Sequence, residues 1–182
     1  MKERIVNSHI DEIKGRFPVE SETVQREDLA FITIKKEHII PVLTYLRDME
    51  KFTHLVLLTA VDRIERGLFQ LTYLLNHPAD KVDLGVRVEI PRDGAEMPSA
   101  HHLWETMATY QRELKEMFGI DFPGSPGVDE SFILEGWDGI PPYRRDFDTK
   151  TYSEETFFPR PGRSTNDPAE YMKSKLYPDE ND

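Results

Sequence analysis

The chain has 182 residues, enough for one domain or for one domain with an extended appendage. Its 34 acidic and 23 basic residues leave a formal charge of -11, which argues against both a nucleic-acid binder and a polybasic grip on anionic lipid. Apolar content of 38% is low, and the lack of cysteine removes disulfides, thiolate-held clusters, zinc ribbons and a cysteine nucleophile from this chain.

Met1-Lys2-Glu3-Arg4 leads into an amphipathic segment rather than a signal-type apolar stretch. Apolar Ile5, Val6, Ile10, Ile13 and Phe17 predict a helix over 5–17, closed by Pro18. Residues 29–34 read as a strand. A second helix starts at Ile39 and carries Val42, Leu43, Leu46 and Met49, with Pro41 tolerable in its first turn. The run 55–61 is the longest apolar stretch, far short of the roughly 20 residues that span a bilayer. It reads as a strand buried on both faces. The chain is therefore expected to be soluble and to meet a membrane only through partners.

Arg66-Gly67 marks a turn into a strand carrying Phe69, Leu71, Tyr73 and Leu75. Val82, Leu84, Val86, Val88 and Ile90 then alternate with Asp83, Gly85, Arg87 and Glu89, the clearest strand in the chain. Together these strands predict an antiparallel meander with one wet face and one face packed on helices. A third helix is expected after Pro98, with Ser99 as its N-cap and a stripe of Leu103, Met107, Tyr110, Leu114 and Met117. The fold class is thus α+β, a meander sheet packed with helices, followed by a long irregular C-terminal arm.

Beyond Phe122 the character changes. Residues 123–182 hold eight of the thirteen prolines and show no sustained period, so the domain is expected over 1–122 and the arm over 123–182. A disordered tail or a partner-bound arm would both fit. The aromatics Phe132, Trp137, Tyr143, Phe147, Tyr152, Phe157, Phe158, Tyr171 and Tyr177 favour an arm ordered on another protein, at least in its first half. The acidic end after Lys175 is expected to fray.

Recognisable catalytic patterns are missing. The six histidines form no His-x-x-x-His motif and read as surface or cap residues. No phosphate-cradling glycine motif and no nucleophile elbow occurs. Carboxylate neighbours such as Asp129-Glu130 are adjacent in sequence, not converging across a cleft. Arg112 reads by spacing as an i, i+4 partner of Glu116 on a wet helix face, or else as a contact for a docked protein. The stretch 137–147 combines Trp137, Pro141, Tyr143, Arg144, Arg145, Asp146 and Phe147, residue types that anchor interfaces. The bland alternative is a local lid pinned over the domain's own core.

Two blocks resemble the 30-kDa subunit family of respiratory complex I, which includes the matching subunit of membrane-bound nickel–iron hydrogenases. Residues 110–124, Tyr-Gln-Arg-Glu-Leu-Lys-Glu-Met-Phe-Gly-Ile-Asp-Phe-Pro-Gly, follow a pattern of Glu-Arg-Glu, an acidic and an apolar residue, then Phe-Gly-Ile-x-Phe-x-Gly. Gly-Trp-Asp-Gly-Ile-Pro at 136–141 and Arg-Arg-Asp-Phe at 144–147 match the second block, and 58–62 and 69–75 resemble two central strands. The chain departs from the pattern at Gln111, at Ser125 and over 129–134. These departures point toward a short hydrogenase-type member or a sulfur-reducing relative.

The resemblance implies a non-catalytic structural subunit in the peripheral arm of a ferredoxin-dependent, hydrogen-evolving, ion-translocating complex, peripheral on the cytoplasmic face of the membrane. No cofactor or metal is expected in this chain. Iron–sulfur clusters and a nickel–iron centre are implied in its partners, a large active-site subunit and a small iron–sulfur subunit. Implied interface residues are Arg112, Glu113, Phe118, Phe122, Trp137, Pro141, Tyr143, Arg144, Arg145, Asp146 and Phe147. A quinone-linked dehydrogenase of the same family, a free-standing enzyme and an adaptor with a disordered tail are the rivals.

Overall fold

A computed structural model describes residues 2–156, with side chains described from Val6 onward, and divides the chain into two compact units, 1–147 and 148–182. In the first unit, helix α1 (Lys2–Lys14) buries Val6, Ile10 and Ile13, one stripe at the helical period. It closes where the N–H groups of Arg16 and Phe17 both return to the carbonyl of Ile13, just before Pro18. Strand β1 (Ser21–Arg26) follows, an element that the sequence does not announce. All six of its residues are exposed, so it carries no alternation to detect; antiparallel pairing with β2 (Leu29–Thr33) defines it. β2 buries Ala30 and Ile32.

Helix α2 (Ile39–Asp48) buries Ile39, Val42, Leu43 and Leu46, and Pro41 sits in its first turn, where a missing N–H leaves no bond unmade. Strands β3 (His54–Arg63), β4 (Leu68–His77) and β5 (Val82–Pro91) then form the expected antiparallel meander. β5 also pairs with β2 in parallel, Ile32 opposite Val86, which gives the order β1-β2-β5-β4-β3. The α+β class holds, with one parallel seam between the early hairpin and the meander. Inward residues such as Ile32, Leu71, Tyr73, Val86 and Val88 join the apolar stripes of α1 and α2 in one core.

β3 corrects an expectation. It is an edge strand whose outer face carries exposed Thr59 and Val61, so it is not buried on both faces. The apolar run arises from a bulge between Leu55 and Leu57, which lets Leu55 and Leu58 both turn inward across an odd spacing. The Val56 carbonyl at the bulge accepts a hydrogen bond from the Tyr110 hydroxyl at 3.0 Å.

Helix α3 (Met107–Phe118) starts later than its apolar stripe suggests, and Ser99 does not cap it. The Ser99 hydroxyl donates to buried Gln111 at 2.7 Å. The Leu103 carbonyl, which a longer helix would need, accepts from Arg47 at 2.8 Å, while the Trp104 indole donates to the Thr53 carbonyl. Competing side-chain bonds therefore hold 99–106 in turns.

The compact unit continues past Phe122 to Phe147. In the second unit the described part is α4 (Thr149–Thr156), an exposed helix. Asp148 opens it by accepting from the N–H groups of Lys150 and Thr151, both at 3.0 Å, a capping signal that the aromatic pattern of the arm obscures. Phe157, Phe158, Tyr171, Tyr177 and the acidic end after Lys175 lie outside the described residues.

One glycine is fixed by contact. A Cβ on Gly85 would stand 2.2 Å from the Phe31 ring, which lies across it on the outer sheet face and stacks on the Arg87 guanidinium at 3.8 Å. Gly85→Val should therefore lower stability by roughly 1–3 kcal/mol. In urea unfolding, Phe31→Ala combined with Gly85→Val should cost clearly less than the sum of the two single changes.

Candidate functional site

The C-terminus of α3 leaves carbonyls in need of donors. Gly119, at φ 74°, ends the helix in a left-handed turn, with Ile120 N–H bonded to Leu114 and Gly119 N–H to Lys115. The next carbonyls are met from far along the chain. Tyr143 N–H donates to Met117 at 3.0 Å and the Arg144 guanidinium to Phe118 at 2.6 Å. A cation there also suits the negative end of the helix dipole. The Phe118 ring meets Phe69 of the sheet edge-on at 5.8 Å and Tyr143 of the arm at 5.6 Å. A Cβ on Gly119 would press within 3.0 Å of Arg144, so that glycine is required by both turn and packing.

A second tie sits at the end of β3. The Asp62 side chain is 1% exposed and receives the Arg92 guanidinium, Nε at 3.0 Å and Nη2 at 3.1 Å. The backbone N–H of Arg145 donates to the same carboxylate at 2.9 Å, and Arg92 reaches on to Asp146 at 2.5 Å. Those bonds to Asp146 and Asp62 raise the Arg92 pKa, while Arg92 holds Asp146 below the usual carboxylate value. Arg145 pairs with exposed Glu65.

The third tie is Glu116. Its carboxylate accepts three consecutive backbone N–H groups, Phe132 at 2.6 Å, Ile133 at 2.7 Å and Leu134 at 2.9 Å. Burial works against its charge, but these donors and nearby Arg112 outweigh burial and hold its pKa below the ordinary 4.5. Arg112 lies 5.4 Å over the Phe132 ring and 3.6 Å from Glu130, so Arg112 and Glu116 both engage the arm instead of forming the i, i+4 pair, one of the two readings of the spacing. Lys115 bridges Asp121 at 2.8 Å and Asp129.

The residues expected at a partner interface thus divide. Phe118 and Phe122 are buried, the latter fully, in the domain's own core. Arg144, Arg145 and Asp146 pin the arm to the domain, the lid arrangement that the sequence left as an alternative. Phe147 stacks edge-on against Trp137 at 5.6 Å. Arg112, Trp137 and Pro141 come together along a groove of about 290 Å³ between α3 and the arm, and Glu113 is half-buried on α3. Tyr143 is 56% exposed, Ile140 48% and, earlier in the arm, Ile133 68%. Sequence reasoning missed the anchors Asp62, Arg92 and Glu116, because their partners lie distant in the chain; only the acidic end of a buried strand hinted at Asp62. It also missed a cluster of His9, His77 and Asp80 whose side chains could hold a metal ion.

A two-layer α+β domain with its own C-terminal arm folded back over one helix is the class that this geometry defines. The model of the respiratory-chain NADH dehydrogenase 30 kDa subunit matches residues 32–153, and the chain belongs to that family. The C subunit of the NADH-quinone oxidoreductase of Citrifermentans bemidjiense is 31% identical over 150 residues, covering 81% of this chain and 84% of that protein. The C/D subunit of the Pseudomonas aeruginosa enzyme is 31% identical over 147 residues, covering 75% of this chain but 25% of that longer one. Among solved structures, a chain of the membrane-bound sulfane sulfur reductase, an archaeal respiratory membrane complex, shares the fold with TM-score 0.77 and 23% identity, over 88% of this chain and 95% of that one.

Asp62→Ala removes the acceptor of the Arg145 amide and one of the two carboxylates on Arg92, and should cost roughly 1–3 kcal/mol in thermal or urea unfolding. For Glu116, the depressed folded pKa means its stabilisation is complete above the ordinary 4.5 and lost as pH falls through the folded value. Glu116→Gln should therefore destabilise by roughly 1–3 kcal/mol at pH 7, with the gap to wild type narrowing in acid below that value. An unchanged gap would contradict the role given to Glu116.

Proposed function

We propose that this chain is a non-catalytic structural subunit of a membrane-bound, multisubunit oxidoreductase, and that its arm docks the large active-site subunit. The observation that carries this reading is the combination of a pinned arm and exposed apolar side chains on it. Ile133, Ile140 and Tyr143 stay open to solvent on a backbone already held by Glu116, α3 and Asp62. A surface organised beforehand loses little conformational entropy on binding. Arg112 at the groove and half-buried Glu113 on α3 would supply charged contacts for the same partner.

Support for the partner's identity comes from a relative. The Pseudomonas aeruginosa protein, whose name joins C and D, carries a segment like this chain in a quarter of its length. A C-type module joined covalently to a D-type one sits within reach of it, and the same neighbour suits a separate chain. Redox centres, iron–sulfur clusters and a nickel–iron site, would reside in the partner chains, since this one has no cysteine to supply thiolates. The membrane is reached through the complex; among the described residues no helix is long and apolar enough to cross it.

Within this reading we favour a hydrogenase-type complex, fed by reduced ferredoxin and coupling hydrogen evolution to ion movement. The departures at Gln111, Ser125 and 129–134 motivate that choice. Gln111 and Ser125 are both buried, on α3 and at the start of the arm. Gentle native purification should recover the chain with a nickel-containing large subunit and an iron–sulfur subunit, evolving hydrogen from reduced ferredoxin. Quinone reduction without hydrogen evolution would select the quinone-linked alternative, and recovery as a lone monomer would overturn the scaffold reading. Ile133→Ser with Ile140→Ser, both at exposed side chains, should release the large subunit while leaving the isolated chain's melting temperature nearly unchanged.

A further inference from the structure

Far from the arm, three elements converge on one carboxylate. Asp80 lies in the turn 78–81 between β4 and β5, where Lys81, at φ 56°, directs the chain into β5. Asp80 Oδ2 stands 3.3 Å from His9 Nε2 of α1 and 3.5 Å from His77 Nδ1 at the end of β4. One ligand atom from each of the three residues lies within 4.8 Å of the others. The rings of His9 and His77 pack with Phe52 at 5.1 and 5.4 Å, which restricts their rotation.

The hydrogen bonds around the cluster fix which ring atoms carry lone pairs. His77 Nδ1 accepts the Asp80 backbone N–H at 3.0 Å, so it is the unprotonated nitrogen. His9 Nδ1 lies 2.6 Å from Glu50, whose other oxygen accepts from the Tyr45 hydroxyl at 2.8 Å. Glu50 has no proton to offer while it accepts from Tyr45 as a carboxylate, so His9 Nδ1–H is the donor. In the neutral ring that leaves His9 Nε2 as an acceptor, facing Asp80. His9 Nε2 and Asp80 Oδ2 then face each other at 3.3 Å as two acceptors, with His77 Nδ1 3.5 Å from the same carboxylate oxygen, an arrangement that a cation between them stabilises.

We propose that His9, His77 and Asp80 bind a divalent transition-metal ion of the zinc type, with Glu50 orienting His9 from behind. In a tetrahedral site with bonds of about 2.0–2.1 Å, neighbouring ligand atoms stand about 3.3 Å apart, close to the two separations here. Two imidazoles and a carboxylate suit Zn²⁺, and the carboxylate–histidine–metal relay through Glu50 is a recurrent outer-shell device. The ion displaces the Asp80 amide from the His77 Nδ1 lone pair. It ties α1 to the β4–β5 turn and leaves a fourth position toward solvent at half-buried Asp80. The inference stands apart from the reading of the arm.

The test uses the full-length chain, stripped with a chelator and titrated with Zn²⁺ by calorimetry and with Co²⁺ by visible absorption. The expected result is one ion per chain, a tetrahedral cobalt spectrum and a rise in melting temperature with Zn²⁺. Asp80→Asn, in an accessible turn and therefore compatible with folding, should abolish all three effects, as should His77→Gln where that variant folds. Glu50→Gln should weaken binding about 10- to 100-fold. His101→Ala with His102→Ala, the other histidine pair, should bind as wild type. Failure of either ion to bind at one equivalent overturns the proposal. Binding that survives Asp80→Asn, or is lost with the His101/His102 pair, overturns it as well.

Discussion

A carboxylate taken almost wholly out of water is costly unless donors are aimed at it, and a chain that places one at the end of an edge strand must build those donors in. Asp62 receives Arg92 from the segment after β5 and the Arg145 amide from the arm, and through Arg92 it also engages Asp146. Residues 62, 92, 145 and 146 are scattered over the sequence, so one buried charge fixes the path of the last stretch of the first unit. Without the arm, Asp62 would lose a donor and the end of α3 would lose partners for Met117 and Phe118. Fold and arm are thus mutually dependent.

Glu116 repeats the principle on the opposite flank of α3. Three successive amides turned toward one carboxylate form an anion nest, a conformation with no hydrophobic signature and no regular secondary structure. A proline-rich segment without periodicity can therefore be well ordered by side chains belonging to other elements. The same ties leave Ile133, Ile140 and Tyr143 outward, and on the proposed reading this is how a small subunit presents a ready-made contact to a large one.

Much of the architecture was legible because apolar periodicity reports burial directly. Val82, Leu84, Val86, Val88 and Ile90 announce β5, and Val42, Leu43 and Leu46 announce α2. Where burial and periodicity part company the reading failed: β1 has no buried face, and the bulge at Leu55–Leu57 disguises an edge strand as a central one. Ser99 looked like a cap, but tertiary bonds to Gln111 and from Arg47 decide where α3 begins. At the site, Arg112 and Trp137, singled out by motif, line one groove in the structure. The Asp62, Glu116 and His9 partnerships were out of reach, since contacts between residues so far apart leave no local pattern.

The central claim is that residues 123–147 are organised by the chain's own charges before any partner binds. Amide hydrogen exchange of the isolated full-length chain measures this directly. Slow exchange is expected at Phe132, Ile133, Leu134, Tyr143 and Arg145, approaching that of α3, with the first three losing protection in Glu116→Ala and Arg145 in Asp62→Ala. Unprotected exchange at those amides in the wild-type chain, with protection gained only in a complex, would contradict it.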